Sequence, residues 1–336
     1  MRSEAQVPHS FPLSSFLFPR SSYLSLLTPV TSMHPRHLVL AALALAACAP
    51  KDQAVPTPVA TLLWSVGGFQ SPESMQHDPA QDVYFVSNIN GNLSARDDNG
   101  FISRVTVDGK VDSLHFIQGG RGGVVLNAPK GLVVKGDTLW VADIDAVRGF
   151  DTHTGAPLAT IDLRGWNAKF LNDITVGPAG ALYVTDTGIL FDARGQMSHP
   201  GPDRIFRISA GQALPLVLSQ SDALANPNGI FWDARHAQFI MAPFGSTSIF
   251  VLNPDDSVPT AIAHGAGQFD GVDVLADGRV VVSSWADSSL SVVSNETMTR
   301  LVGGLVSPAD FNMDRKRNRI LLPLLTRDSV KVFEVK

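Results

Sequence analysis

From residue 60 onward the chain alternates short apolar runs with tight polar turns, and the alternation itself repeats. The segment opened by Leu171-Asn172-Asp173-Ile174 shows the unit: a three-residue head, an apolar strand, a Gly-containing turn and a second apolar strand. Equivalent heads stand at Pro72-Glu73-Ser74, Pro129-Lys130-Gly131, Pro227-Asn228-Gly229, Phe269-Asp270-Gly271 and Pro308-Ala309-Asp310. Taken in chain order the six heads are spaced by 57, 42, 56, 42 and 39 residues, and loops account for the two long spacings. Two further short strands follow each hairpin. Four strands per period of about 40 to 45 residues is the pattern of a β-propeller blade, so the pattern predicts an all-β, six-bladed β-propeller over residues 60–336. A β-sandwich would alternate without a repeated two-strand head. The last unit ends at Ser329 to Val335 with one strand missing, while Thr61 to Val66 is a strand without a partner nearby. Pairing the two closes the ring and removes sheet edges that would otherwise template aggregation.

Composition agrees with that reading. The chain has 336 residues, 44% of them apolar and 17% charged, with 28 Gly and 22 Pro, which suits a large core and many turns. A net charge of −5 without clustered Lys and Arg speaks against nucleic acid as a partner. The single cysteine excludes an internal disulfide, and its surroundings give it another role. Met33-His34-Pro35-Arg36-His37 is a short basic start, Leu38 to Ala47 an apolar run, and Leu45-Ala46-Ala47-Cys48 a small-residue cleavage site ending in Cys. That has the form of a lipoprotein signal peptide over residues 33–47, its apolar run being too short to span a bilayer. A buried apolar helix with an incidental cysteine is the alternative. Lipidation at Cys48 followed by a Pro-rich tether over residues 48–59 would hold the domain at a membrane surface. Ala49 after the cysteine, rather than Asp, points to the outer membrane facing the periplasm. Residues 1–32 lack this logic and read as a mis-called, disordered upstream extension.

In a propeller the first strand of every blade lines the central axis, and all six run the same way. Residues at the starts of those strands therefore meet at one mouth of the tunnel, however far apart they lie in sequence. The second position of the six heads reads Glu73, Lys130, Asn172, Asn228, Asp270 and Ala309. Two carboxylates and two amide carbonyls, from Glu73, Asn172, Asn228 and Asp270, make a hard oxygen set that suits a divalent metal, Ca²⁺ above Zn²⁺ or copper. Taken singly, each is more often a turn cap than a ligand; as a set in one column of a ring they point to metal.

The segments PESMQHDP, FLNDITVGPAGALYVTD, NPNGIFWD, FDGVDVLADGRVVVSSW and PADFNMDRKRNRILLPL resemble the senescence marker protein, gluconolactonase and luciferin-regenerating enzyme family of six-bladed propellers, related to paraoxonases and diisopropylfluorophosphatases. The resemblance spans about residues 60–336. It implies metal ligands at Glu73, Asn228 and Asp270, a metal- or substrate-contacting Asn at Asn172, and hydrolysis of lactones, or of phosphoesters in the relatives. The metal would polarise the carbonyl, with Asp270 activating water or attacking directly. Sugar-lactone members carry Arg two residues before this Asn, where Phe170 stands here, which implies a more apolar substrate. Paraoxonases carry His at the second head, where this chain has Lys130.

Lys130 has two readings: it binds a substrate carboxylate or oxyanion, or it pairs with Glu73 or Asp270 and replaces the ion. Asp173 either orients Asn172 or serves a turn. His77 either shares the side of Glu73 or packs between blades. No Gly-x-Ser-x-Gly elbow, phosphate-cradling loop or dinucleotide fingerprint occurs. The expected protein is a monomeric lactonase or esterase with Asp270, Asn172 and Lys130 in the catalytic centre. Its alternative is a non-catalytic, lipid-anchored binding propeller with a structural calcium site.

Overall fold

The computed structural model describes residues 56–209, 216–256, 258–294 and 296–336. The upstream extension, the lipoprotein signal with Cys48 and most of the tether lie outside the described residues. Six four-stranded antiparallel sheets follow one another around an axis. The first blade is Pro72–Asp78, Val83–Asn88, Phe101–Thr106 and Val111–Gln118, and the second is Pro129–Lys135, Thr138–Asp143, Ala146–Asp151 and Pro157–Asp162. The third blade is built from Leu171–Val176, Leu182–Asp186, Arg204–Ile208 and Leu216–Gln220, with a small hairpin, Leu190–Phe191 and Met197–Ser198, inside its long loop. The fourth opens on Pro227–Asp233 and the fifth on Phe269–Val274. In the sixth, Asn312–Asp314, Arg319–Leu324 and Ser329–Val335 are completed by Ala60–Gly67 from the start of the domain, paired antiparallel to Ser329–Val335. The expected closure by joining the two ends of the propeller is what the chain does.

The apolar faces of neighbouring blades pack on one another, so the core is a ring of interfaces rather than a central ball. Among the described residues every adjacent pair of blades has its own buried cluster. Phe85 and Ile102 meet Leu132 and Val141 between blades one and two, and Leu290 and Val292 meet Ile320 and Phe333 between five and six. Met75 and Tyr84 against Val330 and Val332 seal the junction of the sixth blade with the first. The axis is left to polar and small residues.

The inner strands come close enough there that some positions exclude a side chain. A Cβ on Gly229 would lie 2.3 Å from the Asp270 carbonyl oxygen, and one on Gly271 would lie 2.5 Å from the Phe311 nitrogen. Those contacts are with backbone, so a methyl group has nowhere to go without spreading the blades. We expect Gly271→Ala to destabilise the propeller by about 1–3 kcal/mol, read as a drop in thermal midpoint of several degrees; an unchanged midpoint would show that the axis has slack.

Candidate active site

The heads of the inner strands are not regular β-structure. In each of the first five blades the register between the first and second strands slips at the head, between Pro72 and Met75, Pro129 and Leu132, Leu171 and Ile174, Pro227 and Gly229, and Phe269 and Val272. The second-column residues Glu73, Lys130, Asn172, Asn228 and Asp270 all fall inside these bulges. A bulge releases a residue from the ladder and re-aims its side chain, here toward the axis. Hydroxyls on the second strands satisfy amides thereby freed: Ser87, Thr185 and Ser283 accept from the nitrogens of Ser74, Asp173 and Gly271 at 2.8, 3.0 and 2.8 Å. The Thr185 and Ser283 hydroxyls then donate to Asn228 and Ala309 carbonyls of the next blade, tying each bulge to its neighbour.

All five second-column side chains line one cavity of about 220 Å³ at this mouth. Ala309, the sixth, is buried in an apolar patch beside it with Ile89 and Leu325, so the sixth blade supplies no polar group from this column. Glu73, Asn172, Asn228 and Asp270 are each about 95% buried. Three oxygens of this set have no partner at hydrogen-bond distance: Glu73 Oε2, Asn228 Oδ1 and Asp270 Oδ1, although the Asn228 side chain lies near enough to Asp270 to oppose the rise of its pKa. The other Asp270 oxygen, Oδ2, accepts from the Trp285 indole at 2.8 Å. The Asn172 amide nitrogen donates to Thr187 Oγ1 at 3.0 Å, which leaves its carbonyl oxygen as the end available to a ligand. Among the described residues no three His, Cys, Asp or Glu side chains form a metal cluster; the ring offers two carboxylates and two amides, a donor set able to hold a hard cation through oxygen alone.

Lys130 is 1% exposed. Its ammonium donates to the Ala128 carbonyl at 3.0 Å and lies 4.0 Å from the centre of the Phe170 ring. It makes no ion pair with Glu73 or Asp270, so the reading in which it replaces a cation by direct pairing is not the arrangement adopted. Burial lowers its pKa to about 8, against the opposing pull of Glu73, Asp143 and Asp145. Asp173 does neither of the two things expected of it. Its carboxylate accepts from the backbone of Ile174 at 2.6 Å and of Ile230 at 2.7 Å, stitching blade three to blade four below the ring, while Thr187 orients Asn172. His77 packs between blades: it contacts Asp82 and Asp314 and lies edge-on to Tyr84, away from the cavity.

Residues not singled out from sequence complete the cavity. Ile89, Thr187, Phe244, Trp285 and Leu325 share one position, the residue after the second strand of its blade, and their nitrogens bond back to the residue before each head at 2.9–3.1 Å. A second column, read as the heads were, would have found them. The rest of the wall comes from the two longest loops, through Leu93, Ile189, Phe191 and Met197.

The molecule is a six-bladed propeller with oxygen side chains gathered around a cavity at one end of its axis. Residues 72–311 match the family model described as SMP-30/Gluconolactonase/LRE-like region, and the chain belongs to that family. Compared with individually curated proteins the sequence has no match. Among solved structures the chain is similar to a gluconolactonase from Xanthomonas campestris, at 14% identity and a TM-score of 0.60 over 84% of this chain and 96% of that one. It is also similar to a catalytically inactive virginiamycin B lyase from Staphylococcus aureus with quinupristin, at 13% identity and 0.56 over 83% and 99%. At these identities the likeness is one of fold, and it embraces two kinds of reaction.

Burial, and then the neighbouring Asp270 and Asp310 charges, push the Glu73 carboxyl well above its ordinary range. Burial followed by the Asp310 charge does the same to Asp270, and burial followed by Asp173 to Asp310. Burial raises Asp173 to about 7. A carboxyl raised on folding keeps a proton that the unfolded chain releases near pH 4, so its stabilisation is present below that pH and lost as pH climbs through the folded value. Carboxyls held low by partners, such as Asp82 beside Arg317, lose their contribution only below about pH 4, and Lys130 titrates above this range. With chelator present, the thermal midpoint should therefore fall by several degrees between pH 5 and 7.5, and Asp310→Asn should flatten the fall; a level midpoint would mean that these carboxyls ionise freely in the folded protein.

Proposed function

We propose that this protein is a divalent-metal-dependent hydrolase of lactones or esters, exported and lipid-anchored at Cys48. Glu73, Asn172, Asn228 and Asp270 hold the cation, Ca²⁺ by the hardness of the donors. The observation that carries the reading is the set of three buried, unpartnered oxygens on residues of one ring. Buried acceptors without donors are rare and costly, and three at one place are accounted for together by one cation. Held by these oxygens, a divalent cation would supply Lewis-acid polarisation of a substrate carbonyl and would offset the charge that develops during addition.

The side chains supply the remaining chemistry. The Trp285 indole fixes one Asp270 oxygen, leaving the other to face the cavity. That oxygen either takes a proton from water as the hydroxyl adds to the carbonyl carbon, the acyl–oxygen bond breaking and the alkoxide taking that proton, or attacks the carbon itself to give a mixed anhydride and alkoxide, after which one water hydrolyses the anhydride, freeing Asp270 and supplying the proton of the alcohol. The Lys130 ammonium, bonded to protein only through Ala128, has N–H groups left to meet an oxyanion or the carboxylate released when a lactone opens. The absence of a Lys130 ion pair and the open cavity beside Asp270 favour turnover over a closed, purely structural ion site.

Metal content of the purified protein, then rates on a panel of lactones, aryl esters and phosphotriesters with and without chelator, test this reading. Chelator should abolish hydrolysis and added Ca²⁺ restore it, while Asp270→Asn should cost at least about a hundredfold in kcat with the fold retained. Undiminished activity in chelator removes the cation from the reaction, and undiminished activity in the variant removes Asp270.

A further inference from the structure

The wall above the oxygen ring is almost entirely apolar, and its few polar groups are already engaged. The Thr187 hydroxyl donates to the Pro227 carbonyl at 2.8 Å and accepts from Asn172, and the Trp285 indole N–H is held by Asp270. Hydrogen-bonding capacity remains only at the floor, in the Lys130 ammonium and the oxygens of the ring itself. A polyhydroxylated ring bound against this wall would bury several hydroxyls without partners, each at a cost of about 1–3 kcal/mol. The wall instead presents two aromatic pairs: Phe170 with Phe191, centroids 5.8 Å apart, and Phe244 with Trp285, 5.9 Å apart and edge-on.

Phe191 reaches the cavity on a strap. The loop at 89–100 from the first blade and the loop at 187–203 from the third meet across the mouth, although the second blade stands between them. Asn92 Nδ2 donates to the Asp192 carbonyl at 2.7 Å, and the Phe191 nitrogen donates to Ser94 Oγ at 3.0 Å. The first loop is tied down by Arg96 on Asp145 at 2.7 Å, and the second by His199 on Asp203 at 2.6 Å. Met197, 56% exposed, stands at the opening. A cavity of about 220 Å³ exceeds the roughly 150 Å³ that accommodates benzene, so a lactone ring and a few carbons fit beneath the strap and a longer chain leaves past Met197.

We propose that the substrate is a lactone or ester bearing an unsubstituted apolar chain, and that Phe191, carried on the cross-bridged strap, is the residue that selects it. The proposal rests on the hydrolase reading for its chemistry but on the wall for its substrate class, and the two can fail separately. The test measures kcat/KM in calcium for γ-lactones with side chains of increasing length, beside gluconolactone, together with calorimetric titration of the matching unreactive γ-lactams. We expect kcat/KM and lactam affinity to rise roughly fourfold per methylene until the cavity is filled, with gluconolactone the poorest substrate. Phe191→Ser should flatten that dependence and Phe191→Leu should recover part of it. Turnover that ignores chain length, a preference for gluconolactone, or the wild-type slope in Phe191→Ser each overturns the proposal while leaving a hydrolase. Lactams that bind with the chain-length slope while no lactone or ester is turned over support the apolar class and defeat the hydrolase reading. Absence of both binding and turnover overturns both.

Discussion

The bulge at the head of each inner strand is the constraint on which the site depends. In an unbroken antiparallel ladder, successive side chains alternate between the two faces of a blade, and both faces here are buried against neighbouring blades. The slip at Pro72 to Met75 and its four counterparts break that alternation for one residue per blade, so that Glu73, Lys130, Asn172, Asn228 and Asp270 turn to the axis instead of into apolar interfaces. The rearrangement frees backbone amides, and blades one, three and five answer with Ser87, Thr185 and Ser283. Blades two and four carry Ala142 and Ala242 at that position and Gly131 and Gly229 at the bulge. Blade five has Gly271 at its bulge and still keeps Ser283, so the residue at the bulge does not by itself decide whether a hydroxyl stands opposite.

Closure makes the ring rigid enough to use. Inner strands contribute one or two polar groups each, and their convergence relies on every neighbouring pair holding its angle. Ser329–Val335 pairs with Ala60–Gly67 along the whole of that edge, and Met75 and Tyr84 pack on Val330 and Val332, so the last interface is as well filled as the others. Loops can then vary without moving the floor. The strap from the first and third blades is such a variation, built on a mouth whose lower rim is fixed by backbone.

Much of this was legible in the sequence because the propeller repeats it. The six heads, the four-strand period and the missing last strand are periodic signals, and periodic signals place Glu73 beside Asp270 across 197 residues without any knowledge of contacts. What escaped was either aperiodic or in a column not read. Leu93, Phe191 and Met197 lie on loops of irregular length, where nothing in spacing says which way a side chain turns. Trp285 and Thr187 stand at a repeated position, but one follows Ser and the other Asp in otherwise unlike strands, which hides the correspondence. Asp173 is open in sequence between orienting Asn172 and serving a turn; it does neither because its partners, the amides of Ile174 and of Ile230 in the next blade, are set by the bulge and by blade packing rather than by sequence adjacency.

The axis also shows what such a site costs the fold. Glu73, Asp270, Asp310 and Asp173 are all buried within mutual electrostatic reach, and each is driven above its ordinary range by loss of water before any neighbour acts. Asp310 is steadied by a hydrogen bond from Ser74 Oγ at 2.5 Å, and Asp173 by two backbone amides, so these two have structural partners. Glu73 has Lys130 as the one charge acting to lower it, and that lysine is turned onto Phe170 instead of toward the carboxylate. Asp270 has the Trp285 indole on one oxygen, so among these four the carboxylates that face the cavity, Glu73 and Asp270, each keep one oxygen without a close donor under an apolar wall. A fold optimised only for stability would have filled that position with apolar residues, as the sixth blade does with Ala309.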